Sequence, residues 1–379
     1  MKILLNICRF IVGILFIFSG LIKANDPLGL SYKMQEFFEL WNMAWLDNFS
    51  LAFSILMIVF EILAGVAVLL GWRMKLFSWL LLVLIIFFTF LTGYAYLSGK
   101  VKECGCFGNC IPLTAGQSFA KDIILLLLIV FLFIYREKII PFIPNFHNLL
   151  ILFFTVVISF SIQWYALEYL PFIDCLPYKV GVSIPEKMKP PPGAIQDSSV
   201  ITFIYDRNGK QLEFTADHFP ADFDDSYKFV KRYDKLIRKG NAEPDIKDFS
   251  LLTASGNDTT QALLQEPGYN LFMFAKEMPE TNPDWNKEFA SIYSLVRVKG
   301  MTVFFITAHP DQVENYFVKN EIATHLQILK CDVTAIKTAA RATPTLYLLK
   351  KGIILNKWSY ANFENAISEI SILPSVRDK

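Results

Sequence analysis

Apolar positions along the chain follow two regimes that meet near residue 170. Before it they run unbroken, near 7–23, 50–70, 75–97, 118–135 and 147–167. Each stretch is about as long as the roughly 20 helical residues that cross a bilayer core. Beyond it they come in short runs. "VITFIYDRNGKQLEFTA" alternates on both sides of Asn208-Gly209 and predicts a hairpin. "SYKFVKRYDKLIRKG", with basic and aromatic residues interleaved, predicts a solvated amphipathic helix near 224–240. After a lead-in from 248, "NLFMFA" (270–275) and "MTVFFITA" (301–308) read as buried strands, and 284–300 and 310–322 as helices. "TPTLYLLKKGIILNKW" (343–358) reads as a hairpin turning at Lys351-Gly352. Between the regimes, 168–200 contains "PEKMKPPPGAIQDSS", where three consecutive prolines predict an extended, semi-rigid spacer. The expected fold class is a multi-pass α-helical membrane bundle of about five transmembrane helices joined to an α/β soluble domain.

Composition sharpens the division. Charged residues are 19% of the 379, below the ~25% of soluble domains. Residues 1–170 hold eleven Lys and Arg and nine Asp and Glu, against twenty-five and twenty-six in 171–379. A net charge of +1 offers no basic surface for nucleic acid, and six cysteines are too few for a disulfide scaffold. The first apolar run, led by Lys2 and Arg9 and ending at Ala24, also has the outline of a signal peptide. Its length and the poor cleavage site in "NDPLGL" favour a retained span. With the N-terminus inside, Lys2, Arg9, Arg73, Lys75, Arg136 and Lys138 lie in inner segments, against Lys33, Lys100 and Lys102 in outer loops. Five crossings then put the soluble domain and the loop 99–117 on one side, the periplasm of a bacterial inner membrane.

Candidate chemistry concentrates at that side. Glu61 lies inside the second span, where an ionisable group marks a functional site by default; a protonated or hydrogen-bonded structural carboxyl is the alternative. Asp122, beside Lys121, is expected to favour the start of the fourth span through the helix dipole. The loop "KVKECGCFGNC" places Cys104, Cys106 and Cys110 within seven residues, close to water. Three chemistries fit: thiol–disulfide exchange assisted by Lys100 and Lys102, a structural disulfide, or zinc with a distant fourth ligand such as Cys175. Cys175, after the fifth span, is either a resolving or relay thiol or an isolated buried cysteine. Cys8 is expected to be an apolar residue in its span and Cys331 a buried strand cysteine. The scattered histidines carry no metal-binding spacing, so no His-based metal site is expected.

"FSGLIKANDP", "FEILAGVAVLLG" and "CGCFGNC…AKDIILL" resemble, in order and spacing, the DoxX family and its methylamine-utilisation MauE relatives over about residues 1–140. These are small four-helix membrane proteins. The resemblance implies thiol oxidation, quinone-linked electron transfer or maturation of periplasmic enzymes, and marks Cys104, Cys106 and Glu61 as the family-like positions. DsbB and the vitamin K epoxide reductases use a Cys-x2-Cys that this chain lacks. Residues 248–379 resemble the thioredoxin fold in its periplasmic TlpA-like or peroxiredoxin-like form. Ala342-Thr343-Pro344-Thr345 sits where that fold carries its cis-proline loop, with Gly352 in the following hairpin. The place of the redox dithiol reads "AKEMPETNPDW" (275–285), without cysteine. The domain is therefore expected to bind an extended client beside Thr343 and Pro344, or to cap the membrane half. The implied organisation is a DoxX/MauE-like domain (1–140), a fifth transmembrane helix (141–170), a connector and hairpin region (171–247) and a thioredoxin-like domain (248–379).

The function expected from these features is a membrane-bound, thiol- and quinone-linked redox protein acting on a periplasmic protein or thiol client. Cys104, Cys106, Cys110 and Cys175 would be catalytic, with a quinone near Glu61. The alternatives are a non-catalytic assembly or maturation factor, and a solute transporter, which the scarcity of intramembrane polar residues beyond Glu61 disfavours.

Overall fold

A computed structural model of the chain describes residues 2–101, 105, 107–196, 198–238, 240–278, 284–320 and 326–375. Five helices are long and apolar enough to cross a membrane: α1 (Lys2–Ala24), α3 (Ser50–Leu70, preceded by a 3-10 segment Ala44–Phe49), α4 (Met74–Ser98), α5 (Ala115–Ile134) and α6 (Asn145–Tyr169). All five expected stretches are there: α3 coincides with its expected 50–70, and the other four start one to five residues earlier than expected. The amphipathic helix α2 (Pro27–Leu40) between α1 and α3 was not foreseen.

Small residues bring α1 and α3 together, as membrane helices require in the absence of a hydrophobic drive between them. A Cβ on Gly65 would lie 2.9 Å from the Gly13 carbonyl oxygen, and one on Gly20 would lie 2.4 Å from Ile62 Cγ1. Cys8 is buried in this core with Val12, Phe16, Val68 and Leu81. At the far end, Arg9 stacks 3.9 Å from the Phe142 ring and donates to the Ile140 carbonyl. The fourth span does not start on Asp122. Thr114 caps α5, accepting from the Gln117 N–H, while Gln117 reaches back to the Thr114 N–H. Asp122 lies about two turns beyond this cap, buried.

The soluble half opens with the short helix α7 (Ile184–Lys187), then a three-stranded antiparallel sheet in the order β2-β1-β3: β1 (Ser198–Arg207), β2 (Lys210–Thr215) and β3 (Lys228–Arg238). Asn208 and Gly209 both take positive φ, 55° and 79°, as a two-residue hairpin turn demands. The segment expected as a helix at 224–240 is instead the strand β3, paired with β1 across nearly its whole length. Phe229, Tyr233 and Ile237, four residues apart, suit a helix face as well as a strand, and nine backbone pairings with β1 decide for the strand.

The remaining elements are α8 (Thr260–Gln265), β4 (Tyr269–Phe274), α9 (Asp284–Val298), β5 (Thr302–Thr307), α10 (Pro310–Asn320), β6 (Gln327–Lys330), α11 (Val333–Ala339), β7 (Thr345–Lys350), β8 (Ile353–Ser359) and α12 (Phe363–Ile372). Strands run in the order β6-β5-β4-β7-β8, parallel from β6 to β4 and antiparallel from β4 through β8. A β-α-β unit followed by a β-β-α unit, with Thr343-Pro344 cis before β7, is the thioredoxin-like arrangement. The sequence reading lacked β6 as a paired strand, and α8, α11 and α12.

Alternation along β4 divides two cores. Leu271 and Met273 meet Phe289 and Phe363 on one face; Phe272 and Phe274 meet Ile336 on the other. Tyr178 and Ile184 complete the second core, so the front of the expected spacer is part of the domain. Gly352, at φ 70°, turns the last hairpin where a Cβ would strike Pro185 Cδ at 2.7 Å. If α1 and α3 pack as described, Gly65→Ala should cost about 1–3 kcal/mol. Thermal melting of the purified protein in detergent checks this, and an unchanged melting point would count against the contact.

Candidate functional site

Two ion pairs lie inside the bundle at its cysteine-loop end. Lys23, in the last turn of α1, donates to both Glu61 oxygens at 3.0 and 2.7 Å, and both side chains are 4% exposed. Asp122 accepts from the Thr92 hydroxyl at 3.0 Å and pairs with Lys121 at 2.9 Å. Glu61 is therefore partnered, and the bundle buries more ionisable side chains than the sequence suggested: Arg9, Lys23 and Asp122 join it. A cavity of about 170 Å³ runs between the pairs, lined by Ser19, Lys23, Glu61, Lys121, Asp122 and Phe107. An apolar groove of about 490 Å³ adjoins it, between α2, α3 and α4, with Met34, Phe37, Trp41 and Phe87 on its walls. Lys23 and Phe88 line both spaces, the ammonium 5.0 Å from the ring centroid.

The cysteine loop folds onto these spaces. Phe107 packs on Phe18, with the Lys121 ammonium 4.9 Å from its ring, and Gly105 lines the groove. Cys104 and Cys106 lie outside the described residues. Cys110 forms a disulfide with Cys175. Cys175 is thus not isolated, and neither of these two sulfurs is left for zinc.

The same disulfide belongs to a junction that joins both halves of the chain. Asn25 exchanges two hydrogen bonds with the Ile173 backbone, at 2.8 and 2.9 Å. Asp26 caps α2 through the Gly29 N–H, accepts from Asn109 at 3.2 Å, and accepts from Arg341 Nε of the soluble domain at 2.8 Å. Asp174 pairs with Lys357 of β8. Lys337 donates to Gln35, and Lys337 and Arg341 both sit over the Tyr32 ring, 4.9 and 5.3 Å from its centroid. Burial pulls the Lys337 ammonium below the ordinary lysine range; Lys276 adds to this, and Glu39, Asp47 and Glu277 oppose it. Pro344 is buried and Thr343 exposed, two residues beyond Arg341. The edge on which a thioredoxin-like domain presents its cis-proline loop is therefore seated beside α2 of the same chain. Asn25, Asp26, Arg341 and Lys357 escaped the sequence reading. "KANDP", with Asp26 before Pro27 as a helix-cap signature, was the one available signal.

Cys331, directly after β6, is buried; burial pushes its thiol up to about 12.

Comparison with known proteins agrees with this layout. The family described as "Methylamine utilisation protein MauE" matches residues 1–135. Residues 199–239, around the three-stranded sheet, match a "Domain of unknown function (DUF8463)". "Protein TlpB" of Flavobacterium psychrophilum is 29% identical over 133 residues, 34% of this chain and 36% of that protein, so the match spans about a third of the relative's length. A solved thioredoxin-like protein from Bacteroides caccae ATCC 43185 shares 13% identity at a TM-score of 0.26, covering 88% of this chain and 84% of that one. That score is too low to bear on the fold, which rests on the strand order. The chain is a multi-pass membrane protein with a MauE-type N-terminal domain and a thioredoxin-like C-terminal domain.

Three outcomes are expected. Glu61→Ala leaves the Lys23 ammonium unpaired in the bundle and should destabilise by about 3–5 kcal/mol, while Lys23→Met/Glu61→Leu should recover most of it; melting in detergent reads both. Loss of Cys110–Cys175, which links residues 65 apart, should cost about 4 kcal/mol. Comparing the melting of Cys110→Ser/Cys175→Ser with the parent measures it. A raised pKa keeps Cys331 as the neutral thiol up to strongly alkaline pH. Iodoacetamide at pH 8 should therefore leave it unmodified in the folded protein and label it after denaturation, as peptide mass spectrometry would show.

Proposed function

We propose that this chain is a thiol- and quinone-linked redox protein of a bacterial inner membrane, its cysteine loop and soluble domain on the periplasmic side. The observation that carries the reading is the pairing of a small charged cavity with a long apolar groove, joined at Lys23 and covered by loop residues Gly105 and Phe107. Those two residues flank Cys106 in the sequence. A quinone fits the donor set: a polar ring among Lys23, Glu61, Lys121 and Asp122, and an isoprenoid chain in the groove. When bound, it supplies an acceptor for two electrons and two protons.

The chain's own residues have separable tasks in this reading. Lys23 and Glu61 hold a proton in a shared hydrogen bond, at a site closed by protein from most of the surrounding water. Asp122, held by Thr92 and Lys121, is a second proton-holding carboxylate across the cavity. Cys104 and Cys106 exchange with the thiols of a periplasmic client. The Cys110–Cys175 disulfide fixes the far end of their loop and is a candidate relay.

A second reading, a non-catalytic maturation factor, draws on another observation. The thioredoxin-like domain has no dithiol, and its cis-proline edge is seated by Arg341 on Asp26. In that case the domain is a cap and binding surface, and the disulfide stays closed.

The test is the redox state of each thiol in membranes, mass-tagged by alkylation before and after reduction of the quinone pool. Cys104 and Cys106 are expected to change state with the pool. Cysteines that ignore it would move the assignment to the maturation factor. Cys104→Ser or Cys106→Ser should abolish client oxidation at unchanged protein abundance, and Glu61→Gln should slow quinone-dependent reoxidation by roughly 10²-fold or more, the usual scale for a lost acid–base group.

A further inference from the structure

A second charged cavity lies where the last membrane helix meets the soluble domain. It measures about 260 Å³ and is lined by Glu168, Trp285, Glu288, Tyr360, Phe363 and Glu364. Three carboxylates line it and no Lys or Arg does. Among the described residues, none of the three carboxylates forms an ion pair with a basic side chain. Among the described residues, two polar atoms of its lining side chains are buried without a hydrogen-bond partner: Glu288 Oε2, an acceptor, and Trp285 Nε1, a donor on a residue only 3% exposed. Buried polar groups are almost always satisfied, so a donor and an acceptor orphaned on one cavity wall point to a group that satisfies both. Its chemistry follows: a cation for the carboxylates and, attached to it, an oxygen for the indole N–H. The rings of Trp285, Tyr360 and Phe363 suit an ammonium as well.

Position identifies the source. Glu168 belongs to the last turn of α6, next to Tyr169. Trp164, Tyr165 and Phe172, on that turn and just beyond it, are exposed, and Tyr165 stacks on Phe172 at 4.2 Å. Exposed aromatic rings at the end of a transmembrane helix mark the headgroup level of the bilayer. We infer that this cavity binds the headgroup of an ethanolamine phospholipid, the ammonium held by Glu168 and Glu288 and a phosphate oxygen accepting from Trp285 Nε1. The lipid bridges α6 to α9 and to the 3-10 turn Tyr360–Asn362. This inference does not depend on the redox reading, since no cysteine takes part.

Native mass spectrometry of the full-length protein in mild detergent tests it. The probes are dioleoyl phosphatidylethanolamine, dioleoyl phosphatidylglycerol and free O-phosphoethanolamine. A saturable adduct of one phosphatidylethanolamine is expected, with none for phosphatidylglycerol, and O-phosphoethanolamine should displace it. Failure of that displacement would mean that acyl chains, not the headgroup, hold the lipid, and would overturn the assignment. Glu288→Gln should weaken the adduct roughly tenfold, the scale of one charge-assisted hydrogen bond. Glu364→Gln, at an exposed position that folding tolerates, should weaken it less. Equal retention of both lipids, or variants that bind like the parent, would also overturn it.

Discussion

Asp26 satisfies three groups at once, and the relation between the halves of the chain depends on it. One oxygen caps α2 and receives Arg341 of the soluble domain; the other receives Asn109 from the cysteine loop. The carboxylate is largely withdrawn from water, so each charge-assisted hydrogen bond counts for more than it would at a surface. Its backbone position is fixed because Pro27 follows it and α1 ends two residues before it. A side chain one atom longer would not hold this cap geometry and the reach to Arg341 together. The thioredoxin-like domain is thereby set in one orientation on the bundle.

The two buried ion pairs set a different balance. Withdrawing Lys23 and Glu61 from water costs several kcal/mol per ion, and their attraction offsets this only with short, bidentate contact. The close approach of α1 and α3 at Gly13 and Gly65 provides that contact. The glycines, one turn from Glu61 and about three turns from Lys23, thus act on the electrostatics of the site, and an apolar groove can lie against a charged cavity without collapse of either.

The membrane half was legible because its signal is one of length. An apolar run of about 20 residues has few other destinations, and all five helices appear close to where they were read. Glu61 was legible for the same reason, as a charge where none should be. Its partner was not, because Lys23 sits at a helix end, where a lysine is unremarkable until the fold brings another helix past it. The strand β3 was misread since alternating basic and aromatic residues satisfy a period of two as readily as a coarse helical one. The cis proline at 344 was legible only through resemblance; nothing in four residues of sequence specifies it. Of the junction, Cys175 was legible as a possible partner of the loop cysteines, whereas the contacts of Asp26 with Asn109 and Arg341 were not, because these residues are far apart along the chain and their types are common ones.

The Cys110–Cys175 bond spans α5 and α6 and joins the segments that enter the first and leave the second. Those segments meet only when the hairpin has threaded fully and both ends have emerged on one face of the membrane. A chain with α6 stalled short of crossing keeps the two sulfurs a bilayer apart. The bond is therefore a covalent record of completed insertion.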